Sequence, residues 1–189
     1  MKKLALLITT FMFIAGITTA QNRVFTKTGK IEFDATAPSS PETIHAVNQK
    51  ATSVLDLETG AMQFAVLMKA FHFEKALMQE HFNENYVESD KFPKADFKGS
   101  ISNFPELNLS KDGMYDVSIK GTLTIHGVKK EVEAKGKLTV KGGSVTSGIS
   151  EFVILLSDFN IEVPTLVRDK VNKEAKITVK VDYEPMKSS

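Results

Sequence analysis

The chain contains no cysteine. That absence removes disulfides, thiol nucleophiles, iron–sulfur clusters and every cysteine-based zinc site. Tryptophan is missing too, and tyrosine occurs only 3 times. Aromatic surface is therefore carried by 13 phenylalanines, which have no polar tip. An excess of one charge is also lacking. The formal net charge is +1 over 189 residues, which leaves no electrostatic footprint for nucleic acid or an anionic membrane surface. The one long apolar run, residues 4–17, is broken by Thr9, Thr10 and Gly16. It falls short of the ~20 residues that span a bilayer, so no stable membrane span is expected. What remains is a globular balance, 42% hydrophobic and 25% charged, too apolar for wholesale disorder.

Residues 1–20 have the three-part form of a secretory signal: a basic start at Lys2 and Lys3, an apolar centre, and small residues ending at Ala20. Cleavage there leaves one domain over residues 21–189, in the periplasm or outside the cell. It also leaves 22 basic against 23 acidic residues, since Lys2 and Lys3 depart from the 24. Such a compartment lacks ready ATP and reduced nicotinamide, which disfavours kinases and dehydrogenases.

Strict alternation dominates the rest, the period of a strand with one dry and one wet face. Residues 115–125 are the clearest case, with apolar residues or glycine at odd positions and polar residues at even ones. Residues 132–140 and 175–183 repeat the pattern, and residues 31–35 and 97–101 are shorter versions. Residues 43–57 alternate loosely and read as two strands broken near Lys50; residues 61–69 read as another. The continuous apolar run 152–156 predicts a strand covered on both faces. Turns fall at His126-Gly127, Lys111-Asp112-Gly113 and Lys141-Gly142-Gly143-Ser144. Residues 71–82 break the pattern with good helix formers and predict a short helix, followed by a polar loop to Pro93. The tail from Glu184 is expected to fray.

Eight or nine short antiparallel strands indicate an all-β barrel or sandwich. Closure removes the two edges an open sheet exposes to aggregation. An eight-stranded barrel either packs its interior or holds one small ligand. Gly99, Gly121, Ala134, Gly136 and Ala175 lie on the apolar faces, where small residues leave room for a lumen. The other reading is that they only relieve crowding in a solid barrel or a sandwich. By alternation phase the lumen residues are Phe33, Phe64, Phe97, Ile101, Val117, Ile119, Leu123, Leu138, Ile154, Ile177 and Val179. The helix-and-loop insertion puts His81, Phe82 and Tyr86 at the mouth, to gate or cap a guest.

Residues 121–132, Gly-Thr-Leu-Thr-Ile-His-Gly-Val-Lys-Lys-Glu-Val, resemble the G-x-L-T-I-x-G-V-x-K-x-V hairpin of the YceI-like, polyisoprenoid-binding family. His81-Phe82 and Lys91-Phe92-Pro93-Lys94-Ala95-Asp96-Phe97 resemble that family's helix, aromatic loop and strand entry. The resemblance runs from about Phe25 to Tyr183. Where the family often has Arg-Asp before the histidine, this chain has Met78-Gln79-Glu80. The resemblance implies an extended eight-stranded lipocalin-like barrel, exported, non-catalytic, and holding an isoprenoid-type lipid as ligand rather than any cofactor.

Chemistry of other kinds finds little support. The four histidines form neither His-x-x-x-His nor a His-Glu-x-x-His motif. Glu80, Glu84 and Glu88 recur every four residues, a calcium-like stripe if helical, but read as a solvated face. No serine sits in a Gly-x-Ser-x-Gly elbow, and no glycine-rich loop joins a strand to a helix. Lys129-Lys130 reads as a solvated turn, with a basic lip for an anionic headgroup as its rival. The competing function class is an interaction barrel with a packed core, dimerising through residues 152–156.

Overall fold

A computed structural model describes residues 22–186; the segment expected to be a secretory signal, residues 1–20, lies outside the described residues. Ten antiparallel strands appear in chain order: β1 (Arg23–Thr36), β2 (His45–Asp56), β3 (Ala61–Leu67), β4 (Phe71–Phe73), β5 (Lys94–Ile101), β6 (Gly113–Ile125), β7 (Val128–Lys141), β8 (Ser144–Leu155), β9 (Val171–Asp182) and β10 (Glu184–Pro185). Eight of them close a barrel in the order β1-β2-β3-β5-β6-β7-β8-β9, with β9 returning to β1. β4 pairs with β2 alongside β3, and β10 pairs with the start of β1. The tail is thus a short strand through Pro185 rather than frayed, held also by Met186 N–H donating to the Arg23 carbonyl at 2.8 Å.

The stretch 43–57 holds one strand, β2, not two. Buried positions run Ala46, Asn48, then Ala51, Ser53 and Leu55. The phase flips at Gln49-Lys50, where two successive residues face out. β1 does the same opposite: Val24 and Thr26 are buried, then Gly29 and Ile31, with register shifts between them. An extra residue reverses every later side chain and bends the strand, which is why the sequence pattern looks broken there. Asn48, fully buried, seals the bulge. Its amide nitrogen donates to the Leu67 carbonyl at 2.9 Å, and its carbonyl accepts from Lys50 N–H at 2.8 Å. Both halves of a buried amide are thereby satisfied.

The helical insertion is shorter than its sequence predicts. Phe71-His72-Phe73 alternates and joins the sheet as β4. Helix α1 covers only Ala76–His81, and a π-helical turn, Phe82–Tyr86, continues it. The β6–β7 and β7–β8 connections are two-residue hairpin turns. His126-Gly127 and Gly142-Gly143 all have positive φ, the primed geometry that matches strand twist.

Residues 152–156 are covered on one face only. Ile154 and Leu156 are buried, whereas Val153 is 58% and Leu155 40% exposed, because among the described residues no element packs over the outer face of β8.

Gly99 and Gly121 are cross-strand partners, and they do not leave free space. A Cβ on Gly121 would lie 2.4 Å from the Lys98 carbonyl oxygen and 2.5 Å from Gly99 Cα, with the Phe97 ring at 2.8 Å. These glycines let β5 and β6 approach closely beneath that ring. Gly121→Ala should therefore destabilise the fold by about 1–3 kcal/mol through backbone displacement, read as a lowered midpoint in urea unfolding with an unchanged slope.

Candidate functional site

Inward alternation from seven of the eight barrel strands, all but β2, lines an apolar lumen of about 160 Å³. Phe64, Phe97, Ile119, Leu123, Ala134 and Phe152 are among its walls. Its polar lining consists of Asp96, Ser150 and Tyr183. Two of these are already engaged: Ser150 Oγ donates to the Lys135 carbonyl at 2.8 Å, and Tyr183 Oη lies 3.0 Å from Ser53 Oγ. Burial pushes the Tyr183 phenol up to about 12, so it stays neutral. Beyond it the barrel is solid: Val24, Leu55, Phe104, Val140 and Val145 fill the closed end.

At the other end a second cavity of about 310 Å³ forms a vestibule. Phe82 belongs to the linings of both. It is buried, and its ring sits 5.7 Å from Phe33, 5.6 Å from Phe71 and 5.0 Å from Phe73, in tilted or edge-on contacts. Such pairs add about 0.5–1.5 kcal/mol each beyond area burial. Phe33, Val87, Leu156 and Ile161 also line both, and Phe82 is the member of this partition carried by the insertion. The π turn positions it: Val87 N–H reaches back five residues to the Phe82 carbonyl at 3.0 Å, a geometry frequent at functional sites.

The segment carrying Phe82 is pinned at both ends. At its start Lys75 pairs with Glu42 of the β1–β2 loop. At its end Glu88 accepts from His126 Nε2 at 2.7 Å, while His126 Nδ1 meets the Phe159 carbonyl at 3.1 Å. Both partners are acceptors, so the ring serves both only when each nitrogen carries a hydrogen. The ring also packs edge-on to Phe92 at 4.6 Å. One imidazole therefore ties the insertion, the β6–β7 turn and the turn after β8 together. Of the glutamates at positions 80, 84 and 88, read from the sequence as a solvated face, Glu88 is engaged by His126 and by Lys91 at 3.6 Å. Among the described residues no group of three acidic or histidine side chains is placed to hold a metal ion.

Phe33, Phe64, Phe97, Val117, Ile119, Leu123, Leu138, Ile154, Ile177 and Val179 all line the lumen. Ile101 does not. It faces inward but lies beyond the cavity, packed in the closed end with Phe104. Alternation reports which face a residue takes but not how far along the axis the cavity extends. Phe82 is brought together with His81 and Tyr86 at the vestibule. Residues missed by the sequence reading include Met62 and Val66, which share the phase of Phe64 on β3 and were legible from it, and Phe71, whose odd phase became legible only once β3 and β4 were separated at Met68–Ala70. Lys130 lies 3.7 Å from Asp158 and joins β7 to the turn after β8.

A closed antiparallel barrel with an apolar lumen and a helical cover at one mouth defines a lipocalin-like class. Within that class the chain belongs to the YceI-like family, whose domain matches residues 8–183. It is similar to a polyisoprenoid binding domain from Saccharophagus degradans implicated in plant cell wall breakdown, with 12% identity and a TM-score of 0.72 over 88% of this chain and 99% of that one. Burkholderia cenocepacia BcnA matches at 15% identity and TM-score 0.62, over 80% and 94%. A Campylobacter jejuni YceI protein matches at 16% identity and TM-score 0.53, over 75% and 84%. At these identities the likeness shows a shared fold. No curated protein matches the sequence.

Phe82→Ala should merge lumen and vestibule. Because Phe82 already borders two cavities, its loss should cost the low end of the about 3–5 kcal/mol typical of such truncations, and uptake of an apolar fluorescent probe should become faster. The Glu88 latch has its own signature. The His126 hydrogen bond holds the Glu88 carboxyl below its ordinary value. A lowered folded-state value means stability present above the ordinary carboxylate range, about pH 4.3, and lost as the pH falls below it. Hydrogen-exchange protection over residues 82–92, corrected for intrinsic rates, should drop between about pH 6 and about pH 3; in Glu88→Gln it should change little.

Proposed function

We propose that this chain is an exported lipid-binding protein that holds an isoprenoid-type amphipathic lipid in the barrel lumen, as a carrier, a store or a protective sink. The observation that carries this reading is an apolar lumen joined, at Phe82, to a vestibule with a charged rim. An apolar interior offers a guest about 0.8 kcal/mol per buried methylene. It offers no hydrogen bond to a polar group, whose burial without a partner is costly. A chain-like hydrocarbon with its polar end in the vestibule satisfies both conditions. The lumen on its own suits a guest of about benzene size, so a longer chain requires Phe82 to swing aside and join the two cavities. The polyisoprenoid-binding neighbour supports the choice of an isoprenoid tail.

A second reading has one observation in its favour. Ile149, Val153 and Leu155 are exposed together on the outer face of β8, as a homodimer face would be in a non-catalytic interaction barrel.

Native mass spectrometry of the purified protein, followed by organic extraction, separates the two. A discrete mass excess that extracts as a prenyl chain is the expected result. The folded Ile119→Asp/Leu123→Asp variant should lose it, because both side chains face the lumen. A bare mass with no uptake of offered prenyl lipid, together with concentration-dependent sedimentation, would favour the interaction barrel instead.

A further inference from the structure

The vestibule is apolar along most of its wall, through Leu77, Met78 and Val167, and its charges are gathered at one place. Glu42 stands between two ammonium groups. Lys75, immediately before α1, hydrogen-bonds one carboxylate oxygen, and Lys170, immediately before β9, lies 3.4 Å from the other. All three line the cavity, and Glu42 is the one anion among its lining residues. Lys75 first, and Lys170 after it, hold the Glu42 carboxyl below the ordinary carboxylate range, so it is ionised at neutral pH. Within the lining, one carboxylate facing two ammonium groups leaves a net positive charge at the outer end of an apolar path, and Glu74, which also attracts Lys75, lies outside that lining. Tyr86 lies in the same lining, and burial raises its phenol, keeping it a neutral hydrogen-bonding group.

We infer that the vestibule selects an amphiphile with an anionic headgroup, a phosphate or a carboxylate, bound by Lys75 and Lys170 while its apolar tail passes Phe82 into the lumen. This rests on the lipid-binding reading above and specifies the ligand's polar end. Lysine serves such a group as a point charge, without the planar fork of arginine. A phosphate monoester carries about −1.5 to −2 charges at neutral pH, enough to compensate the surplus and compete with Glu42 for both lysines. The lysine side chains are half-exposed, so the attraction is subject to screening by salt.

The test compares two probes with the same tail, farnesyl monophosphate and farnesol, by calorimetric titration of the purified protein. The phosphate should bind at least ~10-fold tighter at low salt, about 1.4 kcal/mol. That preference should shrink in about 0.5 M sodium chloride. The ratio should fall to about one in Lys75→Gln/Lys170→Gln and rise in Glu42→Gln, which removes the competing carboxylate. Equal affinities in the unaltered protein, or a ratio unchanged in the double variant, would overturn the inference while leaving lipid binding intact. Failure of both probes to bind would remove the lipid-binding reading and this inference with it. Inorganic phosphate binding as tightly as farnesyl monophosphate would mark a free-anion site and overturn the assignment to a lipid headgroup.

Discussion

β1 has a barrel strand on each side. It pairs with β2 from Arg23 to Asp34 on one side and with β9 from Lys30 to Thr36 on the other. Without either ladder the sheet has two open edges and no inside. With both, every barrel strand is paired twice and the inward faces enclose a volume. The closure has a geometric condition. β1 and β2 must bend sharply over a short distance, and each does so by admitting an extra residue near Lys27 and near Lys50. The buried Asn48 amide then supplies the hydrogen bonds that a bulge leaves unmade. On the remaining side the Gly99–Gly121 pair lets β5 and β6 approach closely.

From that closure follow two unlike ends. The closed end is packed by large side chains around Phe104 and by the buried Tyr183–Ser53 hydrogen bond. The mouth is crossed by a short segment with one large anchor, Phe82, and a polar contact at each end of it. The first contact is an exposed ion pair, of a kind worth about 0–1 kcal/mol. The second shields a histidine ring against Phe92. A segment six helical residues long with few strong ties belongs to the lower end of local stability, whereas the strands around it share a continuous ladder. The physical contrast between a rigid barrel and a lightly held cover is what permits a guest to enter without unfolding the wall.

Much of this was legible beforehand. Alternation from Tyr115 to Ile125 placed Val117, Ile119 and Leu123 on the lumen face, because a strand has only two faces and one of them must be dry. The hairpin turns were legible because glycine marks positive φ. What the pattern hid has specific causes. A bulge at Lys50 reverses phase and mimics a strand break. The good helix formers of residues 74–80 concealed the alternation of Phe71 and Phe73. Ile101 carries the right phase but sits past the end of the cavity, since periodicity measures direction and not depth. The Glu42, Lys75 and Lys170 cluster joins three loops from across 128 residues of chain, a proximity that only closure creates. His126 was visible as a turn residue but not as a latch, for the same reason.

The central claim is that an apolar chain reaches the lumen past Phe82. A crystal structure of the protein loaded with farnesyl monophosphate tests it most directly. The account predicts continuous density from the vestibule to Ile119 and Leu123, with the Phe82 ring rotated away from Phe33 and Phe71. Density confined to the vestibule or to the outer surface of the barrel, with Phe82 still packed between those rings, would contradict it.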